Sequence, residues 1–151
     1  MNCPRMNRTT VLLAAVFFTS TGSGCRGSGT WSDDPANWTR AFDEMHPADG
    51  VVIVHSWYMR TPHWTAEYAW FFELTIPTNV SEGFEKNLDV SKVADLSDER
   101  LRGLVYSPRP AWFLAGPLND YEAFEMGKTD PPFLMFHRKG SSQWFWTRYQ
   151  L

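Results

Sequence analysis

Apolar and polar positions alternate from Trp64 to Ile76 with a period of two. Trp64, Ala66, Tyr68, Trp70, Phe72, Leu74 and Ile76 fall on one face, and Thr65, Glu67, Ala69, Phe71, Glu73 and Thr75 on the other. Successive side chains of a strand point to opposite faces, so this pattern predicts a strand. The residues from Val51 to Met59 are rich in β-branched and aromatic side chains and predict a second one. Arg60 to His63 suits a tight connection between them. A symmetric loop of those residues places Met59 opposite Trp64, His55 opposite Tyr68 and Ile53 opposite Trp70. Tyr68, Trp70, Phe72 and Leu74 then share a face with Ile53 and His55.

Ahead of this hairpin the period changes to that of a helix. Trp38, Ala41, Phe42 and Met45 form one apolar stripe, while Arg40, Asp43 and Glu44 point elsewhere. Asp34 followed by Pro35 fits a helix start, and His46 followed by Pro47 fits its end. The stripe is expected to lie on the hairpin, with Trp38 and Phe42 meeting it. From Pro77 to Pro117 the pattern loosens, with helical turns suggested at Glu82 to Leu88 and, after Ser97, through Leu104. Three short strands follow at Tyr121 to Met126, Phe133 to Arg138 and Gln143 to Leu151, separated by turn formers, and read as an antiparallel meander. The expected architecture is α+β: an antiparallel sheet of about five strands with an N-terminal helix packed on one face. In layout this order is similar to cystatin-like and NTF2-like curved sheets.

A chain of 151 residues with 43% hydrophobic and 21% charged side chains has room for one packed domain. The first thirty residues stand apart from it. Val11 to Phe18 is an unbroken apolar run preceded by Arg5 and Arg8, the pattern of an export signal, and too short for the ~20 residues that span a bilayer. Met1 and Met6 are both compatible starts for that signal. The small residues from Thr19 to Gly24 lead to Cys25 in a manner that resembles the bacterial lipobox, although Gly22 stands where that pattern usually has Leu. The resemblance implies lipidation of Cys25; Gly22 and Gly24 also fit ordinary signal-peptidase cleavage, which would leave a secreted or periplasmic soluble protein. Cysteine usage favours lipid, because Cys25 is the one cysteine kept after the signal and a lone exported thiol is reactive. Residues 1–24 thus read as signal, 25–30 as a flexible tether and 31–151 as a single domain similar to small uncharacterised bacterial lipoproteins.

A chain beginning at Cys25 has 12 basic and 17 acidic residues, a net charge of −5, with its bases scattered. Phosphate binding wants a concentrated basic face, so nucleic acid is set aside. The histidines His46, His55, His63 and His137 show no local metal-binding spacing, and neither a cofactor nor a metal is expected. Glu67 and Glu73 lie roughly 20 Å apart along one strand, too far for a catalytic carboxyl pair. Asp33 and Asp34 suit a helix start. No nucleophile elbow or phosphate loop appears, which weighs against an enzyme. The surplus is aromatic: 8 Trp, 5 Tyr and 11 Phe. Trp144, Phe145 and Trp146 are consecutive, so both faces of the last strand carry a large ring and each needs a cover, a partner or a ligand. Three roles compete: an envelope binding or interaction domain, a pocket for a small apolar ligand, and a hydrolase with an assembled site. His55, Tyr58, Tyr68, Trp144 and Trp146 are the candidate binding residues, and a membrane, an envelope protein or a small apolar ligand the candidate partners.

Overall fold

The computed structural model describes residues 28–43, 45–62, 67–87, 89–94, 96–97, 99, 105–106, 109–127 and 132–150. Cys25, the signal, His63, Trp64 and most of the helix expected after Ser97 lie outside them. The chain runs β1 (Gly29–Ser32), α1 (Asn37–Phe42), β2 (Val52–Arg60), β3 (Tyr68–Thr75), α2 (Thr78–Asn87), β4 (Val90–Lys92), β5 (Tyr121–Met126), β6 (Phe133–Arg138) and β7 (Gln143–Gln150). The α+β class is as expected, but among the described residues the sheet has seven strands rather than about five, and the first helix follows a strand instead of opening the domain. The additional strands are the shortest, β1 of 4 residues and β4 of 3, and they occupy the two edges. Such brief edges leave little open backbone for a foreign strand. β1 also takes in Gly29 and Thr30, two residues expected in the tether.

The order β1-β2-β3-β7-β6-β5-β4 is two antiparallel meanders placed side by side. After β3 the chain crosses by α2 to the far edge, then returns through β4, β5 and β6 until β7 pairs with β3. The hairpin differs from its expected register. Met59 pairs with Ala69 and Tyr58 with Trp70, an odd displacement of five residues from the symmetric short loop. A displacement by an odd number turns one strand's faces over relative to the other. A bulge between Ile53 and His55 turns the strand again, so Ile53 pairs with Leu74 while His55 pairs with Glu73. His55 therefore does not oppose Tyr68, and it lies on the face away from Ile53, Trp70 and Phe72.

Both faces of the sheet are covered. On one, α1 and α2 bring Trp38, Phe42, Val80 and Phe84 onto Tyr58, Trp70, Phe72, Leu74, Phe133, Trp144 and Trp146. Phe42 lies 5.0 Å from Trp70 and 5.7 Å from Phe72, ring centre to ring centre, as the helical stripe predicts. The helix is shorter than its pattern, because Asp43 takes a left-handed φ of 59° and ends it. Its start at Asn37 follows a turn in which the Asp34 carboxylate accepts the Ala36 N–H at 2.8 Å. Asn37 is wholly buried and donates to the Trp31 carbonyl and to Ser56 Oγ, tying β1, α1 and β2 together. On the other face Val105, Phe113 and Leu114 of the loosely patterned middle pack on Phe71, Tyr121, Ala123, Leu134, Phe136 and Phe145. Phe113 sits edge-on to Phe71, Phe136 and Phe145 at 4.7, 5.8 and 5.7 Å. Tyr121 Oη–H donates to the Ala115 carbonyl at 2.8 Å and fastens that segment down. Burial pushes the Tyr121 phenol above its ordinary pKa.

Candidate functional site

The expected binding residues separate once the register is known. Trp144 and Trp146 are 5% and 8% exposed and belong to the helix-side core, as does Tyr58 at 5%. Tyr68 is half-buried at the end of β3, between Arg60 and Gln150. His55, like Tyr68, lies outside the buried core, with its side chain 42% exposed. The aromatic surplus is thus spent mainly on filling two cores, and the functional question moves to what surrounds His55.

Three side chains from separate parts of the chain meet there. Just past the end of β1, Asp33 adopts φ 49°, a conformation that non-glycine residues seldom take and that Asp tolerates better than most. This turn lets Asp33 hydrogen-bond to β2 twice. Its N–H donates to the Ser56 carbonyl at 2.7 Å, and its carboxylate accepts the Ser56 N–H at 2.9 Å. The same carboxylate oxygen lies 3.2 Å from His55 Nδ1. From the covering segment, Trp112 lays its ring over the imidazole, with centres 5.4 Å apart and planes 22° from parallel. The result is a ledge of one carboxylate, one imidazole and one indole. Its carboxylate is 56% exposed, so water reaches the pair.

Behind the ledge the chemistry continues into the covered face. His55 pairs across the strands with Glu73, whose residue is only 8% exposed and whose carboxylate accepts a hydrogen bond from Gln143 Nε2 at 2.5 Å. Gln143 Oε1 in turn accepts from Arg138 at 3.2 Å. Glu73 therefore does not face solvent, as a purely polar outer face would require. Beside the ledge, Arg40 donates to Asp34 and Asn37, both at 2.8 Å, and stands 4.5 Å above the Trp31 ring. The Ala36 N–H, and after it Arg40, hold the Asp34 carboxyl below the ordinary carboxylate range.

This arrangement orients an imidazole by a carboxylate, presents it with an aromatic plate, and leaves both open to a ligand. A stacked ring with hydrogen-bonding groups at its rim suits a flat polar surface such as a sugar ring or a peptide plane. Among the described residues no group of three or more His, Cys, Asp or Glu side chains gathers as a metal would require. None of their helices is long and apolar enough to cross a membrane. Sequence reasoning singled out His55 but missed its partners. Asp33 was read as a helix-start residue, and Trp112 lies in the stretch where periodicity gave no guidance. Compared with protein-family models, with curated proteins and with solved structures, the chain matches none of them.

Proposed function

We propose that the chain is an exported cell-envelope protein, anchored to the membrane by lipid on Cys25, whose folded domain binds an envelope partner through Asp33, His55 and Trp112. The observation that carries the binding surface is the imidazole of His55, exposed, held by a carboxylate and stacked on an indole, in a molecule whose other candidate aromatics are mostly core. The anchor rests on the sequence: an apolar run after two arginines, small residues up to Cys25, and no cysteine beyond it. The two features fit geometrically. Gly29, where β1 begins, comes four positions after Cys25, a reach of at most roughly 14 Å. Asp33 follows the far end of β1, about 13 Å of strand farther from the anchor. The lipid would hold the domain close to the bilayer and leave the ledge displayed away from it.

Mass spectrometry of the mature protein from its host is expected to find an acylated N-terminal Cys25, and fractionation to find the protein with membranes. Cys25→Ala is expected to release it into the soluble fraction. His55→Ala and Trp112→Ala should stay with the membrane, because they alter the ledge and not the anchor. An unmodified, soluble wild-type protein would contradict the anchored reading.

A further inference from the structure

β2 is longer than the cover beside it. β1 pairs with β2 only from Trp57 to Arg60, whereas β2 begins at Val52. Asp33 extends that ladder by one place, with its N–H on the Ser56 carbonyl and its carboxylate on the Ser56 N–H, and the chain then turns off towards α1. From Val52 to His55 no strand among the described residues pairs on that side of β2. Val51, Val52, Ile53 and Val54 are consecutive β-branched residues, the type that suits a pleated sheet best. Among the described residues Val52 and Val54 are the exposed large hydrophobic side chains, at 57% and 44%. Sheets protect their open edges with lysine, proline or a covering segment. Residues 50–59 contain no lysine, arginine or proline. Past the bulge that follows Ile53, Val54 leads straight to the imidazole that stacks on Trp112, so the open edge runs into the ledge.

Charge decides what this edge can accept. At one end stands the Asp33 carboxylate, 56% exposed. At the other Asp49 is exposed, just before Gly50 at φ 83° turns the chain into β2. A second copy paired antiparallel about Ile53 would bring each Asp33 towards the other copy's Asp49, setting like charges together twice. A segment with apolar residues in its middle and a lysine or arginine at each end meets the valines with apolar surface and both carboxylates with opposite charge. Its main-chain groups would continue the ladder that β1 leaves unfinished, and its alternate side chains would be read by the valines and the ledge.

We propose that the partner met by the ledge is a polypeptide bound in extended form along β2 from Val52 to His55, apolar at its centre and basic at both ends. The proposal rests on the ledge being the working surface and adds the class of its partner. The probe is the heptapeptide acetyl-KTVTVTK-amide, whose lysines and valines share one face of a strand. Titrated to millimolar concentration into the isotopically labelled full chain and followed by NMR, it should shift the amide resonances of Asp33 and of Val52 to Ser56 saturably. Acetyl-ETVTVTE-amide should bind at least about fivefold more weakly at low salt, because its charges are reversed. Acetyl-KTPTPTK-amide keeps the lysines but lacks the valines and their N–H groups, and it should not bind measurably. Val54→Lys alters an exposed side chain, so its melting transition should stay near that of the wild type while affinity falls about tenfold or more. No saturable shift from Val52 to Ser56, or equal affinity for the lysine and glutamate peptides, would overturn the proposal. Failure of the ledge gives a different result: a peptide that binds the edge while His55 and Trp112 stay unprotected in the native envelope would overturn the ledge as the working surface.

Discussion

Trp70→Ala is expected to lower the unfolding free energy by roughly 3–5 kcal/mol, the cost of truncating a fully packed aromatic. Trp70 is 2% exposed and lies between Phe42 of α1 and Phe133 of β6, at 5.0 and 5.3 Å, with Phe72 at 5.5 Å on its own strand. Removing it opens the contact between the helix layer and the middle of the sheet. Glu73→Ala supplies the comparison on the opposite face. An open outer face would make that change nearly free, but Glu73 is covered and accepts from Gln143, so a cost of about 1–3 kcal/mol is expected. Chemical denaturation of the two variants checks both values. A Trp70→Ala protein as stable as wild type would mean that α1 does not pack on this face.

Phe113→Ala should destabilise by a similar amount, roughly 3–5 kcal/mol, although Phe113 lies outside every strand and α-helix. It is 1% exposed and reaches Phe71, Phe136 and Phe145, which belong to β3, β6 and β7. A loop that merely rests on a surface opens locally without unfolding the rest. A loop whose ring fills the core of the second face cannot do so. The whole melting transition is therefore expected to move down by several degrees or more. An unchanged transition, with exchange of amide hydrogens raised only around residues 109–118, would show that the segment is a detachable cover.

The strongest parts of this fold were legible because they repeat. Tyr68 to Thr75 and the last three strands alternate cleanly, and the stripe of Trp38 and Phe42 has helical spacing, so each element and its buried side could be read locally. What joins them could not. Register depends on the length of a connection and on one bulge, and an odd displacement of β2 against β3 was enough to turn His55 to the other face. β1 and β4 are too short to show a period, and Gly29 and Thr30 have the composition of a linker. The consecutive rings of Trp144, Phe145 and Trp146 signal that both faces need a cover, and Val93, Val105, Phe113 and Leu114, from the loosely patterned middle that the sequence offers as one such cover, supply the second. The ledge was half legible. His55 stood out by its chemistry, whereas Asp33 and Trp112 reach it only through tertiary contacts more than twenty residues away in sequence.

Hydroxyl-radical footprinting, carried out on the purified protein and again on the protein in its native envelope, tests most directly whether the aromatics are core and the ledge is the working surface. In the purified protein His55 and Trp112 should oxidise readily, and Trp70, Phe113, Trp144 and Trp146 should be protected. In the envelope His55 and Trp112 should become protected as well, while the exposed β6–β7 turn at Lys139 to Ser142 keeps its reactivity. Ready oxidation of Trp144 and Trp146 in the purified protein, or a ledge equally reactive in both settings, would contradict the account.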